Sequence, residues 1–471
     1  MKEEKKEFYY FENGLYKIVH SELINFLGEN GFANMRIGGT TKLVRIQNNI
    51  VSEVNESDLS WFIKDYLISL DEKDVLEAFV KGIGSYLNKR KYELLPKVQG
   101  LIDKDPIDCA WLYFKNVAVK VTENKIVLVS YPDLPHKIWK NRIIDKDFNL
   151  IDFTNGQFKD FCFKLSKKDV TRFNVLKTLL GYLLHRHNNP AVVKIAIFMD
   201  ENATKGGQTN GGTGKSLLAK ALSHCVETVL MDGKNMKRES RFNNQRINHT
   251  TDIVCFDDVD SKFSLEIVYS MATSGFVIEK KGKDELILKP EESPKILIST
   301  NYFVNGSGGS SDARRRHEFE VANYFSDKLT PKMVYKNLFF DEWDDNEWNC
   351  FFSFMIDCIQ LFLKAGLLEP MPLNIKVNKL THLTSPEFLE FTSSNSIPSE
   401  KWIEKAELLT EFKKSYPTLR DITSHKLTKW LKLYASEFGL EYIDKKTGKK
   451  YEFKLKARNE LNNETGDENN I

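Results

Sequence analysis

Between residues 192 and 301, short apolar runs alternate with polar loops. Val192-Val193-Lys194-Ile195-Ala196-Ile197-Phe198-Met199 is a β-branched run of strand length, followed at 204–216 by T-K-G-G-Q-T-N-G-G-T-G-K-S. Leu217, Leu218, Ala221 and Leu222 then recur at helical spacing, so the order is strand, glycine loop, helix. Three more apolar runs of strand length follow at 227–231, 252–258 and 294–301, and a helix is predicted over 261–274. Residues 276–289 form two strand-like runs around a glycine-containing tip, which predicts a hairpin. Strands alternating with helices in this way predict an α/β fold with a parallel sheet.

Upstream, the spacing of Leu70, Val75, Phe79 and Ile83 predicts one helix over 65–87, and 170–187 is a second, ended by Asn188-Asn189-Pro190. The runs 111–121 and 125–129 predict a hairpin closed by Thr122-Glu123-Asn124. The region before residue 168 is therefore expected to be an α+β accessory domain. Asp103, Asp105 and Asp108 are expected in a solvated turn rather than a metal site. His185 and His187, two apart, cannot share a helix face as metal ligands would, and capping or solvent exposure is expected for them. Downstream, 351–356 is an apolar helical run. Helical segments at 402–416 and 424–438 precede two strand-like runs, 440–443 and 451–455, around a lysine-rich tip, an order that suggests a winged helix. The polar tail 461–471 is expected to be disordered.

A chain of 471 residues accommodates about three domains. With 68 Lys+Arg against 66 Asp+Glu the formal charge is +2, so any nucleic-acid contact must come from local clusters. No apolar run reaches transmembrane length, and the charged start Met1-Lys2-Glu3-Glu4-Lys5-Lys6-Glu7 lacks a signal-peptide core, so a cytoplasmic protein without membrane contact is expected. Six scattered cysteines without a C-x-x-C pair predict buried, reduced thiols.

The glycine stretch carries the first candidate chemistry. A loop lacking side chains lets backbone N–H groups close around phosphates at a helix N-terminus, so Asn210, Gly211, Gly212, Thr213, Gly214, Lys215 and Ser216 are the candidate nucleotide-binding residues. Lys215 would reach the β- and γ-phosphates and Ser216 a Mg²⁺ ion. Thr209 stands where this motif has its first glycine. Asp257 and Asp258 end an apolar strand, as metal binding and water activation beside a triphosphate require: Asp257 joins Ser216 on the metal, and Asp258 polarises the attacking water. Asn301 ends another strand and can hold the γ-phosphate or the water. Arg314, Arg315 and Arg316 are either a solvated patch or a phosphate clamp supplied to a neighbouring subunit. On pattern alone, Lys280, Lys281 and Lys283 at the 276–289 tip are solvated hairpin lysines.

Taken together and in this order, Gly214-Lys215-Ser216, Asp257-Asp258, the lysine hairpin, Ile298-Ser299-Thr300-Asn301 and the arginines resemble the superfamily 3 helicases, ring-forming ATPases of small DNA viruses, phages and plasmids. The resemblance covers 192–325, and its nearest subgroup is the phage and poxvirus primase-helicase type. It implies a P-loop AAA+-type ATPase domain at 169–370, flanked by the accessory domain 1–168 and a winged-helix-like domain at 371–460. It also implies ATP and Mg²⁺ as cofactors, assembly as a hexamer, and single-stranded and forked DNA as partners, gripped by Lys280, Lys281 and Lys283. Arg315 or Arg316 would complete the neighbour's site, and a separate primase would act alongside. The expected function is ATP-dependent DNA unwinding in replication of a phage or mobile element. An ATP-switched origin initiator or loader, or a DNA-binding replication scaffold with a vestigial ATPase, are the alternatives.

Overall fold

The computed structural model describes residues 8–37, 40–99, 104–201, 212–235, 244–260, 262–279, 285–306, 309–394, 397–398, 400–448 and 450–457. The expectations for Asp103, for Thr209 and for the tail 461–471 lie outside them.

The chain is α/β with mixed sheets. At its centre is a five-stranded, wholly parallel sheet made of β1 (Ile195–Asp200), β2 (Thr228–Asp232), β3 (Ile253–Val259), β6 (Lys295–Thr300) and β7 (Arg316–Val321), in the spatial order β2-β3-β6-β1-β7. Between β3 and β6 the chain makes an antiparallel pair, β4 (Phe276–Ile278) with β5 (Leu286–Leu288), which is the expected hairpin. Residues of β1, β3 and β6 are nearly all buried, because helices cover the faces of a parallel sheet and its strands become continuous apolar runs. β7 was not anticipated, since Arg316-His317-Glu318 opens it and hides the strand pattern behind polar residues. The predicted 261–274 helix starts only at Glu266.

Upstream of the sheet, the single helix predicted over 65–87 is two, Glu56–Ser69 and Lys73–Tyr86. The chain reverses between them through Asp71 at φ +56°, leaving Leu70 exposed while Val75 and Phe79 stay buried. Asn55 caps the first of the two with a capping box, its side chain accepting from Ser57 and Asp58. The run 111–121 is two strands rather than one. Asn116 exchanges hydrogen bonds of 2.9 and 3.0 Å with the backbone of Phe148, which draws the chain into a turn between Cys109–Phe114 and Ala118–Thr122. With Ile126–Val129 they form a meander. Its buried residues Leu112, Phe114 and Val119 share one hydrophobic core with Phe161, Leu180, Phe198, Leu218 and Phe351, so this core runs across residue 168.

One expectation about a polar residue fails and another holds only in its capping alternative. Asp105 is not in a solvated turn: it is buried and paired with Arg186 at 2.7 Å, and it accepts the Trp111 backbone N–H. His185 is not solvent-exposed but it does cap: it is the C-cap residue of the Val170–Leu184 helix, its backbone N–H donating to the Gly181 carbonyl, and its buried ring lies 2.9 Å from the Pro106 carbonyl. Both belong to a seam where residues 104–142 meet the start of the parallel strands, completed by the buried Arg142–Asp252 pair at 2.8 Å.

The C-terminal region has its own core, including Phe388, Phe412, Trp430 and Phe453. The predicted helices are Lys405–Ser415 and Ser424–Glu437, followed by the antiparallel pair Leu440–Thr447 and Lys450–Ala457, with Ile403–Glu404 as a third strand. Two helices, Ile375–Leu383 and Pro386–Ser394, precede them without having been anticipated. All six cysteines are free and buried, as expected. No helix among the described residues is long and apolar enough to cross a membrane.

Candidate functional site

The parallel sheet brings the candidate residues together because β1, β6 and β3 are neighbours and end at the same edge. Met199 is in register with Thr300, and Phe256 with Ile298, so the segments after β1, β3 and β6 emerge side by side. At this edge the Lys215–Ser223 helix begins. Gly214 precedes it at φ +104° and Gly212 lies at φ +86°, both in the left-handed region that glycine enters without strain. A Cβ on Gly214 would also fall 2.7 Å from the Phe161 ring. Asn210 and Gly211 lie outside the described residues.

Lys215 is buried and sits at the centre of the cluster. Its Nζ donates to Asp200 Oδ1 at 2.5 Å, to Asn301 Oδ1 at 2.8 Å and to Thr213 Oγ1 at 3.0 Å. Thr213 in turn donates to Asp200 at 2.7 Å. Burial lowers the Lys215 pKa, opposed chiefly by the Asp200 carboxylate and then by Asp258 and Asp257.

The two candidate acids occupy an irregularity in β3. Its register with β6 shifts between Phe256 and Val259, and Asp258 takes φ +53°, which turns two adjacent side chains toward the same edge. Ser216 Oγ lies 3.4 Å from Asp257 Oδ2, and Ser299 donates to the other Asp257 oxygen. Asn301 Nδ2 donates to Asp258 at 3.2 Å, and Lys234 pairs with the same carboxylate. The Asp258 backbone N–H donates to Ser299 Oγ at 3.2 Å. Lys215, Ser216, Asp257, Asp258 and Asn301 therefore form one connected cluster with Gly212, Thr213 and Gly214 beside it.

Asp200, Lys234 and Ser299 complete that cluster without having been anticipated. Asp200 had a visible signal, a carboxylate ending the run that leads to the glycine stretch. Ser299 was hidden inside a strand, and Lys234 inside a polar stretch with many equivalent residues.

Chemically, a lysine ammonium and the first N–H groups of a helix form an anion site, bordered here by the Asp200, Asp257 and Asp258 carboxylates and the Ser216 hydroxyl. Among the described residues no group of three His, Cys, Asp or Glu could hold a metal on its own. The adjacent Ser216 and Asp257 oxygens instead fit an ion that takes one or two protein ligands and completes its shell with phosphate and water, as Mg²⁺ does.

Lys280, Lys281 and Lys283 lie outside the described residues. The arginines are at the other end of the sheet: Arg316 is in register with Ile195, at the start of β1, whereas the cluster begins at its last residue, Asp200. Along that strand the separation is about 16 Å. Arg316 is held within its own chain by Glu318 at 2.5 Å, Asp312 at 3.4 Å and the Val304 carbonyl at 2.7 Å. Arg315 donates to Ser311 and lies over Tyr269, while Arg314 is exposed. A cavity of about 520 Å³ opens near the start of β2 and β3, away from the cluster, and its Arg142, Asp252 and Arg186 are already engaged in ion pairs.

No protein-family model matches the chain, and no curated protein does. Among solved structures it is similar to three of the NrS-1 C terminal region, each at 13% identity. Two are described as the A form apo structure of that region, with TM-scores of 0.41 and 0.40, covering 93% and 92% of this chain. The third, the apo structure of residues 305–718, has a TM-score of 0.43 and covers 92% of this chain; in all three, 98% of the other chain is covered. Likeness at this level assigns neither residues nor activity.

Proposed function

We propose that this chain is an ATP-hydrolysing DNA helicase that works as a homo-oligomeric ring, a hexamer, in replication of a phage or another mobile element. The single observation that carries the reading is the cluster Lys215–Asn301–Asp258 with Asp257 and Ser216, gathered from two parallel strands and a helix N-terminus. The order β2-β3-β6-β1-β7, with a hairpin between β3 and β6, supports a P-loop AAA+-type core. In this reading Lys215 and the helix N-terminus hold the phosphates of ATP. Ser216 and Asp257 would hold a Mg²⁺ ion, whose chemistry when bound would be to neutralise charge on the transferring phosphoryl group. Asp258 accepts a proton or hydrogen bond from the attacking water, and Asn301, which bridges Lys215 and Asp258, orients it.

Arg315 acts on a neighbour rather than at home, since about 16 Å of strand separates the adjacent Arg316 from the cluster of its own chain. Lys280, Lys281 and Lys283, which lie between β4 and β5 in the sequence, grip single-stranded DNA in the ring. The C-terminal domain is winged-helix-like. Lys426, Lys429 and Lys432 are exposed on the outer face of the Ser424–Glu437 helix, whose inner face buries Leu427, Trp430 and Leu431, and this supports contact with the duplex arm of a fork. A separate primase would supply primers.

The test measures DNA-stimulated ATP hydrolysis and unwinding of a forked duplex for wild type, Lys215→Ala and Lys281→Ala/Lys283→Ala. Lys215→Ala is expected to lose both activities, and the hairpin variant to lose unwinding while keeping basal hydrolysis. Wild-type hydrolysis without unwinding would replace the helicase with an ATP-switched loader. No hydrolysis at all would leave a DNA-binding scaffold.

A further inference from the structure

Two of the three polar partners of Lys215, Asp200 and Asn301, are braced from the C-terminal side of the chain. Asp200 is followed by Glu201, whose carbonyl accepts the side-chain amides of Asn374 at 3.2 Å and Asn378 at 3.0 Å. The Glu201 carboxylate is fixed by Lys167 at 3.0 Å and the Asn323 backbone N–H at 3.2 Å. On the neighbouring strand β7, the buried Glu320 accepts the backbone N–H of Leu373 at 2.5 Å and of Asn374 at 2.8 Å. Arg172 ties the same places, donating to the Glu320 and Met371 carbonyls. Asn301 is followed two residues later by Phe303, which packs with Met199 and Ile375.

One feature of Asn374 is not explained by local helix structure. It stands at the N-cap of the Ile375–Leu383 helix, where asparagine ordinarily accepts from its own first turn, yet it makes no such bond and gives its amide to Glu201. The same helix is paired to the C-terminal domain through Lys379 and Glu437.

We propose that Asn374, Asn378 and Glu320 are positioning residues for the Lys215 site. They hold Asp200 and Asn301 against the lysine, so that the affinity of the site for nucleotide depends on how the 371–383 segment is seated. This rests on the phosphate-site reading above. Thermodynamic reciprocity adds a second consequence: nucleotide at Lys215 steadies the 371–383 segment, and through it the C-terminal domain.

The experiment uses the full chain, a fluorescent non-hydrolysable ATP analogue with Mg²⁺, and hydrogen exchange of residues 371–383 with and without that analogue. Asn374→Ala/Asn378→Ala is expected to weaken analogue binding about five- to tenfold, as the loss of two neutral hydrogen bonds allows. In hydrolysis, KM rises by a similar factor and kcat changes less. The analogue slows exchange over 371–383 in wild type and not in the variant. Should the double variant not fold, Asn378→Ala alone serves, because alanine favours the helix it sits in; it is expected to show the same shift at about half the size on a logarithmic scale. Unchanged affinity and unchanged analogue-dependent protection in a folded variant would overturn the inference while leaving the site reading intact. Failure of wild type to bind the analogue would overturn both.

Discussion

The Lys215 ammonium donates to the side-chain oxygen of Asn301 at 2.8 Å, and the amide end of the same asparagine donates to Asp258 at 3.2 Å. Asn301 thus uses both ends to connect a cation with the acid assigned to water activation. In the proposed mechanism its contribution grows as charge develops on the transferring group, so its loss falls on kcat. Asn301→Ala is expected to lower kcat for ATP about 100-fold, within the range seen when one transition-state donor is removed, and to change KM by less than about threefold. Steady-state hydrolysis decides this. A rise in KM at constant kcat would make Asn301 a binding residue only.

Gly214 is the position in the glycine loop where geometry leaves least choice. Its φ of +104° and a Cβ–ring distance of 2.7 Å to Phe161 act together, and Phe161 is fully buried, so the ring cannot swing away. Gly214→Ala is expected to destabilise the chain by about 2 kcal/mol from backbone strain alone, with the clash adding to it. Thermal melts together with nucleotide binding measure both consequences. A wild-type melt with wild-type binding would show that the loop can be rebuilt without the left-handed turn.

Much of the parallel sheet was legible because a buried parallel strand writes itself as a continuous apolar run, as β1, β3 and β6 do, and because the half-buried edge strand β2 still carries Val229, Leu230 and Met231 in a row. The cluster was legible where residues sit at strand ends or in a glycine motif, as Lys215, Asp257 and Asn301 do. What stayed hidden depends on pairing partners distant in sequence. β7 begins with Arg316, whose burial is possible only because Asp312, Glu318 and the Val304 carbonyl surround it. Asp105 looks like a turn residue until Arg186, from the end of a later helix, arrives beside it. The Glu201–Asn374 contact joins two polar residues from ordinary loops, and no periodicity marks either.

Three histidines give the chain a defined response to acid. Burial lowers His185, His224 and His317 to about 4, with cations nearby, Lys295, Lys220 and Lys194 respectively, acting in the same direction. A base depressed in the folded state is neutral there while the unfolded chain already binds the proton. Stability is therefore complete above the unfolded value of about 6.5 and falls as pH drops from there toward 4. His317, with an Nε2 that lacks a partner among the described residues, is expected to account for a loss on the order of 3 kcal/mol across that window. Melts at a series of pH values between 7.5 and 5 should show the decline, and His317→Phe should make it shallower. An unchanged slope would place the proton uptake elsewhere.

Arg315 and Arg316 are adjacent in sequence and unequal in structure. Arg316 has an almost enclosed side chain, 9% exposed, shared among Asp312, Glu318 and a carbonyl, so it serves its own subunit. Arg316→Ala removes the ion-pair partner of Glu318 and of Asp312, which keeps only the Tyr269 hydroxyl among its described partners, and is expected to cost about 3 kcal/mol of stability. Among the described residues, Arg315, on the last turn of the Gly309–Arg315 helix, is held by Ser311 and lies over the Tyr269 ring, and it can turn outward. Arg315→Ala is therefore expected to fold with a wild-type melt and to lose hydrolysis. Mixed with Lys215→Ala subunits, it should regain activity, because an interface that takes Lys215 from one variant and Arg315 from the other is intact. Random mixing in a closed ring makes about a quarter of the interfaces of that kind, which sets the scale of the recovery. Recovery with Arg316→Ala and none with Arg315→Ala would reverse the assignment. Recovery with neither would move the finger to Arg314, whose alanine variant is then mixed in the same way.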